Sequence, residues 1–162
     1  MDIVFLDIDG VLNCSTTKER VTPSVVGIDD RLVKNLADFI GHLKDPKIVL
    51  VSSWKIDWFP DEYLCSPAAK YMNAALAKHG LKIWTATSGS TFDRGKGIHE
   101  FVDYHKKNID SWIVIDDSIF EDYDEEILHH LCQTNYHDGF DEDSIVRALK
   151  IIQNDSSATL EA

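Results

Sequence analysis

Residues 3–13 read Ile3-Val4-Phe5-Leu6-Asp7-Ile8-Asp9-Gly10-Val11-Leu12-Asn13, an apolar run that ends in two aspartates and a glycine. The apolar part is rich in β-branched and aromatic residues, which is typical of a buried strand. Because side chains two apart on a strand point the same way, Asp7 and Asp9 project together from its carboxyl end. Ligands of open α/β sheets bind at that edge. Two converging carboxylates repel each other and need a cation or a shared proton. The alternative interpretation is that the strand simply ends there, with Asp9-Gly10 as a polar turn.

The length and composition of the chain indicate one globular domain. The chain has 162 residues, of which 44% are hydrophobic and 27% charged, enough for a full core. We expect a single domain over residues 1–153 and a flexible C-terminal tail at 154–162. We expect no membrane span and no export signal, and therefore a cytoplasmic protein. The cysteines lack CxxC spacing and are expected to be reduced, buried thiols: Cys14, Cys65 and Cys132.

The charge balance limits the kind of partner. The formal net charge is −12, from 28 acidic and 16 basic residues. Such a field repels polyanions and argues against an extended nucleic-acid-binding surface. It leaves room for a small basic pocket that holds one phosphate.

Strand-like and helix-like segments alternate along the chain. After the first strand, apolar runs at 47–51, 81–85, 112–115 and 131–135 predict four more strands, with amphipathic helices between them. Residues 14–28 form a polar loop without clear periodicity. Asp29, Asp30, Ser66 and Asp141 are suited to cap helices. The alternation predicts a Rossmann-like three-layer α/β/α sandwich around a mostly parallel five-stranded sheet.

Two later strands also end in polar groups. Ser52 and Ser53 follow the second predicted strand, and Asp116 and Asp117 follow the fourth. The carboxyl ends of parallel strands share one edge, so these groups meet the aspartates of the first strand. Carboxylate oxygens suit Mg²⁺, and the absence of His and Cys at these ends disfavours zinc. Taken alone, the second acidic pair is also consistent with a helix cap.

A phosphate at this edge needs donors and positive charge. Ser52 and Ser53 offer hydroxyl and backbone donors, and Arg94 and Lys96 lie where a helix is predicted to start. Residues two apart on a helix diverge by roughly 200°, so one of these two cations should face the phosphate and the other the solvent.

Together the segments resemble the haloacid dehalogenase-like (HAD) phosphohydrolase superfamily. Its four motifs match residues 5–13, residues 48–52, Arg94 or Lys96, and residues 113–117. The chain is most similar to the HAD domains of Swiss Army Knife RNA repair proteins, with Lys55 in place of an arginine in the second motif. The spacing from Arg94 to Ile98 favours Arg94 as the third motif, whereas residue type favours Lys96.

The resemblance implies a mechanism and a cofactor. Asp7 would attack phosphorus and form an aspartyl-phosphate, with Asp9 as general acid and base. Mg²⁺ would be held by the Asp7 carboxylate, the Asp9 carbonyl and the pair Asp116 and Asp117.

The size of the cap and the aromatic residues near the second motif bear on the substrate. The chain has room only for a minimal cap, and an open site is suited to a phosphorylated substrate such as a nucleic-acid end or a nucleotide. Three aromatic residues after the second motif, Trp54, Trp58 and Phe59, either stack on a base or pack in the core. The alternative function is a catalytically idle HAD-like module that binds a partner protein or a phosphorylated end.

Overall fold

The computed structural model describes residues 1–161, with side chains through residue 157. The strands in this range are β1 (Asp2–Leu6), β2 (Arg20–Thr22), β3 (Val25–Val26), β4 (Lys47–Leu50), β5 (Ile83–Ala86), β6 (Ser111–Asp116) and β7 (Leu131–Gln133). The helices are α1 (Asp30–Ile40), α2 (Pro67–Ala77), α3 (Arg94–His105), α4 (Glu125–His129) and α5 (Glu142–Glu161). Two short 3₁₀ turns lie at Ser53–Lys55 and Glu62–Leu64.

Five strands form one parallel sheet in the order β5-β4-β1-β6-β7. β1 is central, and its last residue, Leu6, pairs with Leu50 of β4 on one side and Ile115 of β6 on the other. The carboxyl ends of these three strands are therefore level. The predicted Rossmann-like α/β architecture is confirmed.

Alternate residues of the strands pack against opposite helical layers. Val4 and Leu6 belong to a core shared with α1, α2 and α5, whereas Ile3 and Phe5 belong to a core shared with α3 and α4. Both layers exclude water from the sheet, which explains why residues 3–6 of β1 are all apolar and buried.

Aspartate and serine side chains cap the starts of α1, α2, α4 and α5. The side chains of Asp29, Ser66 and Asp124 accept backbone hydrogen bonds at the starts of α1, α2 and α4. Asp141 does the same before α5, where it accepts from the backbone of Ser144 at 2.9 Å. These bonds satisfy donors that a helix start would otherwise leave open.

The expectation of an irregular loop over 14–28 is wrong in its second half, where β2 and β3 form a small antiparallel hairpin. Residues outside the hairpin hold its base in place through hydrogen bonds. Asn13 Nδ2 donates to the Gly27 carbonyl at 3.0 Å, and the Tyr71 hydroxyl accepts from the Ile28 backbone at 3.1 Å. The hairpin is therefore an insertion between β1 and α1 that is not part of the central sheet.

The closing helix extends beyond the predicted end at residue 153. It continues to Glu161, and Ala162 lies outside the described residues. Asp155 ties the extension to the sheet, since its carboxylate accepts from the Trp112 backbone at 3.0 Å. The hydroxyls of Ser156 and Ser157 donate to carbonyls of the preceding turn.

The three cysteines are buried and form no disulfide. Across the described part of the chain, no helix combines the length and apolar character needed to span a bilayer.

Candidate active site

Three strand ends bring the predicted residues together above β1. Asp7 follows β1 directly, and its backbone N–H donates to Ile115 of β6 at 2.9 Å. Ser52 follows β4, where Val51 is bonded to the carbonyl of Leu6 at 3.0 Å. These backbone bonds continue the ladder past the last paired residues, so the positions of Asp7 and Ser52 are set by the sheet itself.

Three carboxylates form the centre of the site. Oxygens of Asp7, Asp116 and Asp117 lie within 4.8 Å of one another. Asp7 is 4% exposed and Asp116 is fully buried. Burial, and then repulsion from Asp116, raise the pKa of Asp7 to about 8. Burial also raises the pKa of Asp117. Three carboxylates gathered at one point repel one another, and a hard divalent cation fits that donor set.

Gly10 allows this group to form. It has a φ of +75°, and a Cβ atom at this position would lie 2.2 Å from Asp117 Oδ2. The Thr134 hydroxyl holds the Gly10 carbonyl at 2.7 Å, and the Asn13 side chain accepts from its N–H at 2.9 Å. A glycine is therefore required both for the turn and for the approach of Asp117 to the main chain.

Arg94 lies inside the carboxylate group. Its Nη1 is 2.8 Å from Asp116 Oδ2 and 3.2 Å from Asp7 Oδ1, and the side chain is 7% exposed. The guanidinium packs over the ring of Phe120 at 4.2 Å. Burial opposes its charge, but Asp7 and Asp116 raise the pKa of Arg94. Within the described residues its buried Nε has no hydrogen-bond partner.

The start of α3 separates the two candidate cations. Lys96 points to solvent, with its side chain 72% exposed and Nζ 3.9 Å from Glu100. Of the two candidates for phosphate binding, Arg94 lies beside the carboxylates and Lys96 lies on the solvent side of the helix. Gly95 lets the helix start approach Asp122, whose carbonyl oxygen would lie 2.2 Å from a Cβ there.

Ser52 and Ser53 also differ in placement. The Ser52 side chain is 1% exposed, accepts from the Trp54 backbone at 3.2 Å, and lowers the pKa of Asp7 by hydrogen bonding. Ser53 is exposed at the start of the turn Ser53–Lys55. Of the two serines, Ser52 contacts the carboxylate group through its bond to Asp7, whereas phosphate binding by Ser53 stays a prediction.

Asp9 lies at the mouth of the site rather than in the carboxylate group. Its side chain is exposed. One carboxylate oxygen accepts from Asn13 Nδ2 at 2.9 Å, and the other accepts from Trp54 Nε1 at 3.1 Å. Two donors therefore hold the Asp9 carboxylate outside the group of Asp7, Asp116 and Asp117.

The aromatic residues after β4 divide between the two predicted roles. Trp54 reaches the site through its bond to Asp9. Trp58 is buried and donates to Asn73 at 3.1 Å, so it packs in the core. Phe59 is 44% exposed.

Lys55 is a candidate residue that sequence reasoning left out of the site. Its Nζ donates to the carbonyl and hydroxyl oxygens of Thr87, at 3.1 and 3.3 Å. No carboxylate of residues 1–157 lies within 4.0 Å of it. Burial, and then the charge of Arg94, lower the pKa of Lys55. Its position three residues after Ser52 was the available signal, since one short helical turn returns a side chain to the same side.

A second group of possible metal ligands lies on the surface. His99, Asp124 and Glu126 offer ligand atoms within 4.8 Å of one another. His99 Nε2 contacts Asp124 at 2.8 Å, while the opposite ring nitrogen faces Glu126. The two acids thus contact different nitrogens of the ring, which is the arrangement of surface ion pairs.

The family described as the HAD domain in Swiss Army Knife RNA repair proteins matches residues 3–145. This range includes the four parts of the site, which are the carboxyl ends of β1, β4 and β6 and the start of α3. The chain belongs to this family. No curated protein and no solved structure matches the chain. Membership in a HAD family is consistent with phosphohydrolase chemistry and with use of a divalent metal at the carboxylate group.

Proposed function

We propose that this HAD domain is a Mg²⁺-dependent phosphomonoester hydrolase in which Asp7 is the nucleophile. The observation that carries the proposal is the group of Asp7, Asp116 and Asp117 with Arg94 inserted among them. A binding module has no need of a buried carboxylate cluster at a strand end. The family description adds RNA repair, which favours nucleic-acid ends or nucleotides as the phosphorylated substrates.

In the first step, an Asp7 carboxylate oxygen attacks phosphorus. The bond from phosphorus to the ester oxygen breaks, and an aspartyl-phosphate forms. The leaving oxygen takes a proton from Asp9. Asn13 and Trp54 hold the Asp9 side chain at the mouth of the site, where the departing alcohol reaches solvent.

In the second step, Asp9 takes a proton from a water molecule that attacks phosphorus. The acyl-phosphate bond then breaks, which restores the Asp7 carboxylate and releases inorganic phosphate. The same residue therefore gives a proton in one step and recovers one in the next.

Arg94, Ser52 and Lys55 bind the phosphoryl oxygens. Arg94 contributes Nε, the buried donor without a partner among the described residues. Lys55 contributes the N–H that Thr87 leaves free, since an ammonium has three donors and Thr87 provides two acceptors. Such charge-assisted bonds offset the charge of the transferring group.

Mg²⁺ would be held by Asp7, Asp116, Asp117 and the carbonyl of Asp9. When bound, it would supply positive charge to the phosphoryl oxygens and to the carboxylates.

The test is phosphate release from an aryl phosphate by the purified chain. We expect hydrolysis with Mg²⁺, none in chelator, recovery when Mg²⁺ is restored, and none from Asp7→Asn. Asp38→Asn, which alters an exposed carboxylate paired with Lys34, is the control and should retain full activity. Full activity of Asp7→Asn would refute the proposal. A chain that binds inorganic phosphate but hydrolyses no ester would instead be the idle module.

A further inference from the structure

A cleft opens beside Asp9, between the β2–β3 hairpin and the turn that follows β4. Its volume is about 440 Å³, within the range of small-molecule sites. It is lined by Asp9, Asn13, Val21, Ser24, Val25, Val26, Trp54, Ala68 and Tyr136. This set is called the hairpin cleft below.

The walls of the hairpin cleft are apolar and aromatic. Three valines of the hairpin line it together with an indole and a phenol ring. Val25 is 45% exposed and Tyr136 is 51% exposed, so their apolar surfaces are available to a ligand. Exposed apolar surface gathered around a catalytic mouth indicates a binding site rather than packing.

The hairpin cleft offers no positive charge. Asp9 is the charged residue in its lining, which contains neither lysine nor arginine. Arg20, the basic residue of β2, donates instead to the backbone carbonyls of Thr17 and Glu19. A second phosphate placed here would meet a carboxylate and no cation, so the cleft disfavours a polyphosphate and favours an uncharged group.

The hairpin cleft is continuous with the residue that would protonate the leaving oxygen. Trp54 Nε1 donates to Asp9 Oδ2 at 3.1 Å, so the same indole orients Asp9 and forms part of the cleft wall. An alcohol that takes its proton from Asp9 must have its body beside Asp9. The cleft is therefore where that body lies.

We infer that the hairpin cleft binds an uncharged aromatic ring carried by the alcohol that leaves, with Val25 and Tyr136 as specificity-determining residues. This inference rests on the proposed hydrolase function and adds the class of substrate. Flat rings bury apolar area against the valines and stack on Trp54 or Tyr136. A nucleobase and a simple aryl group share this chemistry.

The experiment compares esters that differ in the ring. Adenosine 3′-monophosphate and glycerol 2-phosphate both release a secondary alcohol, but only the first carries an aromatic ring. We expect kcat/KM to be at least tenfold higher for the adenosine ester. Phenyl phosphate forms a third arm, which is judged by its loss in Val25→Asp because phenol is a better leaving group than either alcohol. A loss for both ring-bearing esters would assign the cleft to aromatic rings in general, and a loss for the adenosine ester alone would assign it to a nucleobase.

Val25→Asp places a charge in the cleft without touching the catalytic residues. It should lower kcat/KM for the ring-bearing esters at least tenfold and leave glycerol 2-phosphate within twofold. Val146→Asp is the matched control, because Val146 is 51% exposed on α5 and lies outside the cleft lining. Val25→Ser and Tyr136→Ala serve as second variants if the charged substitution disturbs the hairpin.

Equal kcat/KM for the adenosine and glycerol esters in the wild type would overturn the inference, as would equal losses on both in Val25→Asp. Failure of the hydrolase proposal is distinguishable. If no ester is cleaved, binding of adenosine itself is measured by ligand-detected NMR. Binding that Val25→Asp weakens and Val146→Asp preserves supports the cleft assignment, and no binding to the wild type overturns it.

Discussion

Replacing Asp7 by asparagine is expected to stabilise the metal-free protein while it abolishes turnover. Asp7 is buried beside Asp116, and its pKa is raised from 3.8 to about 8. The folded chain therefore holds this proton more tightly than the unfolded chain does. Its contribution to stability is complete below about pH 3.8 and is lost as pH rises toward 8. Asparagine has nearly the same shape and has no proton to lose.

The pH range between these two pKa values sets the size of the stability gain expected for Asp7→Asn. Each pH unit between the two pKa values changes the free energy of unfolding by about 1.4 kcal/mol. Between pH 5 and pH 8 the advantage of Asp7→Asn should therefore grow by about 4 kcal/mol at most. At roughly 3 °C per kcal/mol for a chain of this length, the difference in Tm should widen by up to about 12 °C.

The assay is thermal unfolding of both proteins in chelator, from pH 5 to pH 9, with Asp38→Asn as the exposed control. Saturating Mg²⁺ should then favour the wild type, because its full set of carboxylates binds the cation. If the difference in Tm fails to widen with pH, or if Asp7→Asn is the less stable protein at pH 8, the reasoning about the carboxylate group is refuted.

Three further substitutions test the neighbouring residues. Arg94→Ala should lower kcat/KM about tenfold to a hundredfold through loss of a charge-assisted contact, whereas Lys96→Ala should stay within twofold; comparable losses at both positions would contradict the placement of Lys96 in solvent. Lys55→Met should raise KM for the ester, and the inhibition constant of inorganic phosphate, about tenfold. Lys55→Arg keeps the positive charge and should retain most of the affinity for phosphate. Unchanged phosphate inhibition in Lys55→Met would remove this residue from the site. Gly10→Ala should lower the free energy of unfolding in urea by about 1–3 kcal/mol and raise the Mg²⁺ concentration needed for half-maximal activity, because Asp117 must move away; wild-type values for both would show that the glycine is dispensable.

The central sheet could be predicted because its signals are local. An apolar run that ends in a polar pair marks a buried parallel strand and also its functional end, as in β1 and β6. The order of the strands depends on pairing between distant segments, such as Leu6 with Leu50 and Ile115. A single sequence contains no local record of that pairing.

The parts that were missed depend on distant contacts. The β2–β3 hairpin has strands of three and two residues, too short for a periodic pattern, and Asn13 and Tyr71 fix its base. The place of Lys55 in the site depends on Thr87, which follows a different strand. Trp54 and Trp58 look equivalent in sequence, and only the bonds to Asp9 and Asn73 separate them.

The choice between Arg94 and Lys96 shows where helix geometry is informative. Sequence predicted that one of the two would face the site and the other solvent, and the structure has this arrangement. The identity of the inward residue depends on where α3 begins. At that boundary Asp122 packs closely against Gly95 and its carboxylate accepts from the Lys96 backbone at 2.9 Å. Sequence alone does not show these contacts.

The most direct test of the account is a search for phosphate bound covalently to Asp7. Enzyme in excess over a ³²P-labelled phosphate ester is mixed with Mg²⁺, quenched in acid within milliseconds to seconds, and digested for peptide mapping. The account predicts transient label on the peptide that contains Asp7, labile to hydroxylamine as an acyl phosphate is, and no label on Asp7→Asn. Release of phosphate by the wild type without label on Asp7 at any time, together with release by Asp7→Asn at the wild-type rate, would contradict it.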